Sequence, residues 1–242
     1  MYTHFIIMGS SYSKGYRIAM DYIAQDVSAD FIQSQLGKIR NEVGSLSCIS
    51  TRTIMTDEKE WQSVVKTDVF FEGVHIYNNI DEFIKELKSN LELSSLDIAK
   101  YILSKFGCTH LQLEKLTYFC HAEYLCAYKV PLFKDKVCAF DNGPICYDAY
   151  QAFKKCPQWG FVDKLEDEIV IRSRILSSKN GLDKLESIDM TLKKYMEFTA
   201  EELVNITHKD MTPWDFCYEQ GSMYKEIPND IIIALHKNEF TA

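Results

Sequence analysis

Leu96-Asp97-Ile98-Ala99-Lys100-Tyr101-Ile102-Leu103-Ser104-Lys105-Phe106-Gly107, with Thr109-His110-Leu111-Gln112-Leu113-Glu114-Lys115-Leu116-Thr117-Tyr118 just after it, decides how this chain is read. Leu96, Ala99, Leu103 and Phe106 recur at helical spacing and share one face. Gly107 predicts the stop, because a glycine takes the left-handed C′ position without a Cβ penalty. Thr109 and Gln112 then fit a capping box, and Leu113, Leu116, Cys120 and Tyr124 form the stripe of a helix reaching about Tyr128. Two amphipathic helices in succession predict a mainly helical domain.

Downstream the helical reading continues. Asp141-Asn142-Gly143-Pro144 predicts a turn, with Asn-Gly tolerating positive φ and Pro144 presetting the first turn of a helix over about 145–155. Ile169, Ile171 and Ile175 sit among polar residues, which predicts a strand or hairpin over 168–175. Helices are predicted over 182–196, from the Thr199-Glu202 capping box to about Ile206, and over 230–237, with Pro213-Trp214 as an interruption.

Upstream the pattern is mixed. Phe5-Ile6-Ile7-Met8 reads as a short buried strand, and Arg17 to Val43 reads as helical, with a cap at Ser28 or Asp30 for the second of two helices. Strands are expected over 47–55 and 68–77, a short helix over 57–65, and a helix from an Asn79 capping box to about Leu87. The polar stretch from Lys88-Ser89-Asn90 to Ser94-Ser95 marks the boundary, and Ser94 or Ser95 caps the helix after it. The expected fold class is α+β: a small N-terminal α/β domain over residues 1–90, then a mainly α-helical domain with a short hairpin over 91–242.

Composition narrows the functional classes. The chain has 242 residues, 46% apolar and 26% charged, which is a globular composition able to fold without staples. Its net charge is −8, divided as −3 before residue 91 and −5 from there on. Phosphates are repelled by such a surface, so nucleic acid is not an expected partner. No apolar run is long enough to span a membrane, and the start, Met1-Tyr2-Thr3-His4-Phe5-Ile6-Ile7-Met8, lacks the pattern of a signal peptide. A cytoplasmic protein with reduced thiols is expected.

Candidate chemistry is sparse. The eight cysteines include no pair at zinc-ligand spacing, since Cys120 and Cys126, the closest, have five residues between them. Cys108, His110, Cys120 and His121 are conceivable ligands, but buried packing is the ordinary use of a free thiol, and no metal or cofactor is expected. Cys120 and His121 are helix neighbours pointing about 100° apart, so they do not form a nucleophile–base pair. No Ser-His-Asp elbow and no HExxH is present. Gly9, Ser10, Ser11, Lys14 and Gly15 fall after the first strand and, as read here, before a helix, a place where backbone N–H groups can bind a phosphate; the spacing is neither a Walker A loop nor a dinucleotide fingerprint. The aromatics Tyr118, Phe119, Tyr124, Tyr128, Phe140, Tyr147, Tyr150, Phe153, Trp159 and Phe161 read mostly as core. Tyr128, Tyr147 and Tyr150 are expected near the Asp141-Asn142 turn, where tyrosines suit an interface.

The blocks from Leu96 onward resemble the SocA-like family, also called the Panacea antitoxin domain or phage-associated GepA-type proteins. Leu96-Asp97-Ile98-Ala99-Lys100-Tyr101-Ile102 and Leu111-Gln112-Leu113-Glu114-Lys115-Leu116-Thr117-Tyr118 match its two opening helices. Gly143-Pro144, with Tyr147 and Tyr150 after it, matches its "GP" loop, and Thr207-His208 with Pro213-Trp214 matches its "THxxxPW" block. Cys120 and His121, where small or amide residues are common, and Ile145, where Val is usual, are departures.

The resemblance implies an antitoxin of a toxin–antitoxin system, often carried on a prophage, and not an enzyme. It would bind a cognate toxin protein directly or deliver it to an AAA+ protease. The surface expected to meet the toxin comprises Tyr128, Asp141, Asn142, Gly143, Pro144, Tyr147, Tyr150, His208 and Trp214, although Gly143-Pro144 and Trp214 also have plain roles in the turn and in packing. A second class stays open, in which the N-terminal domain senses a nucleotide or phosphate ligand through Gly9, Ser10, Ser11, Lys14 and Gly15. Autoregulation by operator DNA is a third, disfavoured by the charge.

Overall fold

Phe5, Ile6, Ile7 and Met8 are apolar in succession because the strand that carries them is covered on both faces. In the computed structural model the described residues are 1–242 apart from Ser13, Ser45, Ser47, Ser222, Met223, Thr241 and Ala242, so Ser13 and Ser47 of the regions read above lie outside them. Contacts divide the chain into two units, Met1–Leu91 and Glu92–Ala242. Its content is mixed α and β.

The first unit runs β1 (Tyr2–Ser11), β2 (Tyr16–Ile23), α1 (Ala29–Val43), β3 (Ser50–Thr56), α2 (Trp61–Thr67), a 3-10 turn (Val69–Phe71), β4 (His75–Tyr77) and α3 (Ile80–Ser89). The sheet order is β3-β1-β2-β4, with β1 antiparallel to β2 and β3, and β4 parallel to β2. Ile7, Ile18 and Met20 pack under Ile39 of α1 and Phe83, Ile84 and Leu87 of α3. Ile6, Met8 and Ala19 pack against Val64, Phe71 and Val74 on the opposite face.

Arg17 to Ile23 is therefore a strand and not the first of two helices. Ile18, Ala19 and Met20 are buried in succession between two layers, and a short apolar run of this kind carries no period that separates strand from helix. Residues 68–77, expected as one strand, split into the 3-10 turn and the short β4 because the Asp68 side chain accepts from the Phe70 N–H and turns the chain. Ser28 caps as read, accepting from the Phe31 N–H; Asn79 caps α3 by accepting from the Asp81 N–H instead of forming the capping box expected there.

The second unit runs α4 (Ser95–Lys105), β5 (Cys108–Thr109), α5 (His110–Tyr128), β6 (Val137–Phe140), β7 (Gly143–Cys146), α6 (Tyr147–Phe153), β8 (Phe161–Val162), α7 (Glu168–Leu176), α8 (Gly181–Tyr195), α9 (Ala200–Thr207), α10 (Pro213–Cys217), β9 (Lys225–Glu226), α11 (Asn229–Leu235) and a 3-10 turn (His236–Phe240). Strands pair β5-β8 and β7-β6-β9. The axis of the unit is α5, packed by α4, α8, α9, α11 and β7. It is buried round most of its circumference, polar positions such as His110, Glu114, Lys115, Thr117 and His121 included, so it is more than the one-striped helix its sequence suggests. The closing turn is pinned to it, with Tyr118 Oη donating to Glu239 and His236 Nδ1 lying 2.5 Å from the same carboxyl group.

Four expectations are corrected here. The hairpin lies at 137–146 and not at 168–175, where α7 forms instead. Alternation misled because Ile169 is 81% exposed and only Ile175 of α7 is buried. Pro144 lies in β7 opposite Ala139, and α6 starts only at Tyr147, so the proline opens no helix. Finally, Gly107 takes no left-handed conformation; α4 ends on the extended Phe106. A Cβ on Gly107 would stand 2.7 Å from the Phe161 ring, and that close approach is what requires glycine. Pro213-Trp214, read as an interruption, opens the short α10, with Thr212 as its cap.

Candidate functional site

The β6–β7 turn is held by side chains from three separate parts of the second unit. Asp141 and Asn142 form its tip and Gly143, at φ 102, supplies the positive φ, the pattern of a hairpin loop that ends on a left-handed residue. The positive φ thus falls on Gly143 rather than on Asn142. Trp214 Nε1 donates to the Phe140 carbonyl at 2.7 Å, and Lys115 Nζ to the Pro144 carbonyl at 2.9 Å. His208 Nε2 lies 3.2 Å from the Asp141 carbonyl and Nδ1 2.8 Å from that of Val204. Both oxygens are acceptors, and a neutral ring donates to only one of them. Tyr218 Oη donates to the Asp141 carboxylate at 2.8 Å, and Asn142 Nδ2 to Gln158 at 2.8 Å.

Packing completes this clamp. The His208 and Trp214 rings lie 3.7 Å apart, and Tyr218 stacks on Trp214 at 4.5 Å. A Cβ on Gly143 would come within 2.9 Å of Thr207 Oγ1, 3.0 Å of Lys115 Cε and 3.2 Å of His208 Cε1. Lys115 is fully enclosed, and burial pushes its ammonium down to about 8, against the pull of Glu114. Beside the turn, Phe140, Tyr147 and Tyr150 gather round Tyr224 at 5.0 to 6.4 Å.

The structure thus brings together Asp141, Asn142, Gly143, Pro144, Tyr147, Tyr150, His208 and Trp214. Gly143, Pro144 and Trp214 are buried; Asp141 is exposed, and Asn142, Tyr147, Tyr150 and His208 are half-buried. Tyr128 is not part of this group. It stacks on Tyr124 at 4.5 Å and lines a groove beside Met190 and Lys194 of α8. The residues that sequence reasoning missed are Lys115, hidden in an apolar stripe, and Tyr218 and Tyr224, which no motif singles out.

The Gly9–Gly15 region loses its premise. Gly9, Ser10 and Ser11 belong to β1, Gly15 makes the turn at φ 74, and strand β2 follows where a helix was expected. Lys14 Nζ pairs with Glu86 at 2.7 Å and Ser11 Oγ donates to the same carboxylate at 2.5 Å. A carboxylate already takes the groups that a phosphate would need. Among the cysteines, burial pushes the Cys108, Cys120 and Cys146 thiols up, away from thiolate chemistry. His121 turns from Cys120 to Asn229, with Nε2 at 3.1 Å from Oδ1, and its ring lies over Phe133. Among the described residues no cluster of His, Cys, Asp and Glu could hold a metal ion, and no helix is long and apolar enough to cross a membrane.

Residues 113–215, within the second unit, match the family model described as antitoxin SocA-like, Panacea domain. The matched segment starts in α5 two residues before Lys115 and ends just after Trp214, so it holds Lys115, the turn, His208 and Trp214 but not Tyr218. No curated protein and no solved structure matches the chain.

Proposed function

We propose that this chain is an antitoxin-type interaction protein that neutralises a cognate toxin by direct protein–protein contact, without catalysis of its own. The observation that carries the reading is the SocA-like match over residues 113–215, an antitoxin family. The site chemistry agrees in kind: the clamp spends its lysine, histidine and tryptophan on backbone carbonyls and leaves no activated nucleophile or base. The net charge of −8 suits a basic toxin and would speed encounter with it. Neutralisation by simple blocking is the first route, and delivery of the bound toxin to an AAA+ protease is the second.

Co-expression with the product of the adjacent gene tests this. The neighbour alone is expected to arrest growth, and the pair to grow and co-purify. A harmless neighbour, or an arrest that this chain does not relieve, would falsify the proposal. Toxin levels in a strain lacking the protease separate the two routes, because blocking leaves them unchanged.

A further inference from the structure

We propose that a groove between Trp159 and the segment Glu197–Glu201 docks a basic, amphipathic stretch of a partner protein. The proposal rests on the reading of the chain as an interaction protein and names a surface distinct from the hairpin clamp. The groove offers about 400 Å³, with Thr109 and Gln112 as its floor, Trp159 on one side and Phe198 and Glu201 on the other. Trp159 is 66% exposed and Phe161, beside it on β8, is 64% exposed. Two large aromatics so open to water are the residue types that dominate binding energy at protein interfaces.

Both walls are tied down by hydrogen bonds within the chain. On the Trp159 side, the His110 N–H donates to the Gly160 carbonyl and the Leu111 N–H to the Gln158 carbonyl, each at 2.9 Å, and Gly160 N–H closes on Pro157 at 2.8 Å. On the other side, Gln112 Nε2 donates to the Phe198 carbonyl at 2.8 Å, and Thr199 and Glu202 form a reciprocal capping box. A partner therefore meets anchors already in place and loses little to ordering them.

The charged side chains that line the groove give the sign of the partner. Two helices, α5 and α9, begin at this groove, and free N–H groups there would favour an anion. The His110 and Leu111 N–H groups of α5 are taken by the 158–160 loop, and at α9 the Glu202 N–H goes to Thr199 Oγ1 while the Glu202 carboxylate takes the Thr199 N–H. The charged residues of the lining are Glu197 and Glu201, both exposed. Lys or Arg on the partner complements them, with an apolar side chain seated against Trp159 and Phe198. Nucleic acid has the wrong sign for this rim.

The test uses the purified full chain and fluorescein-labelled synthetic 14-residue peptides carrying Lys or Arg with Leu or Phe at helical spacing. Counterparts with Glu in place of every Lys and Arg serve as the comparison. By anisotropy the basic peptides should bind, weaken with added salt and lose at least about tenfold in affinity with Trp159→Ala. Glu197→Lys with Glu201→Lys should weaken them further, and the double change keeps the test valid if Trp159→Ala disturbs the fold. Basic peptides that fail to bind, that bind these variants as tightly as the unaltered chain, or that bind no better than their acidic counterparts overturn the groove. The growth assay keeps the two proposals apart. Full rescue by Trp159→Ala removes the groove and leaves the antitoxin reading, whereas absence of rescue by the unaltered chain removes the antitoxin reading and leaves the peptide result to decide the groove.

Discussion

The hairpin clamp and the Trp159 groove stand in the same unit and treat tryptophan in opposite ways. Trp214 is 8% exposed and its indole N–H is committed to a backbone carbonyl of the turn. Trp159 is 66% exposed and sits on a loop whose own backbone is tied down. The clamp joins Lys115, Gly143-Pro144 and His208 with Trp214 on one turn, and all of them lie within the matched segment. What is most legible in this chain holds the fold, and what is most available to a partner carries no pattern.

Breaking the clamp should show in stability. Gly143→Ala forces a side chain into φ 102 and against Thr207, Lys115 and His208. It should cost about 3 kcal/mol or more, read as a lowered urea midpoint with the slope unchanged. A midpoint equal to that of the parent would mean the turn is not held as described.

Protonation provides the next largest effect. Burial holds His121 down at about 4, against an ordinary 6.5, while its Nε2 faces Asn229 and its Nδ1 has no partner. The fold therefore keeps the neutral ring. Its contribution is complete above pH 6.5 and is lost as pH falls from 6.5 toward 4, where the unfolded chain takes up a proton that the folded one refuses. The total is roughly 3 kcal/mol over that interval. His121→Gln should flatten this part of the stability–pH curve; an unchanged slope would assign it to other groups.

A smaller loss is expected for Trp214→Phe, which keeps the stacked ring and leaves the Phe140 carbonyl without its donor. About 1–2 kcal/mol is expected from thermal melts. No loss would mean water replaces the indole there. At the bottom of the scale, Trp159→Ala should change stability by no more than about 0.5 kcal/mol, since little of that ring is buried.

Legibility followed how local each signal was. Thr109, Thr199, Ser94 and Asn79 all cap the helices they precede, because a cap needs only the next three residues. Ile18-Ala19-Met20 and Ile169-Val170-Ile171 were misleading, because the layers above and below the first run and the solvent over the second are set by distant segments. At the site, the turn residues, His208 and Trp214 were legible as a group. Lys115 was not, since a lysine within a helical stripe is ordinarily a solvated one, and only the hairpin carbonyl explains its burial. Trp159 and Phe161 read as core because aromatic residues usually are. Their exposure follows from the 157–160 loop being hung on the first turn of α5.

The most direct test of this division sets Trp159→Ala beside Trp214→Ala and measures thermal stability and toxin neutralisation in the same strains. Trp159→Ala is predicted to melt with the parent and fail to neutralise, while Trp214→Ala melts well below it. Full neutralisation by Trp159→Ala, or an unshifted melt for Trp214→Ala, would contradict the account.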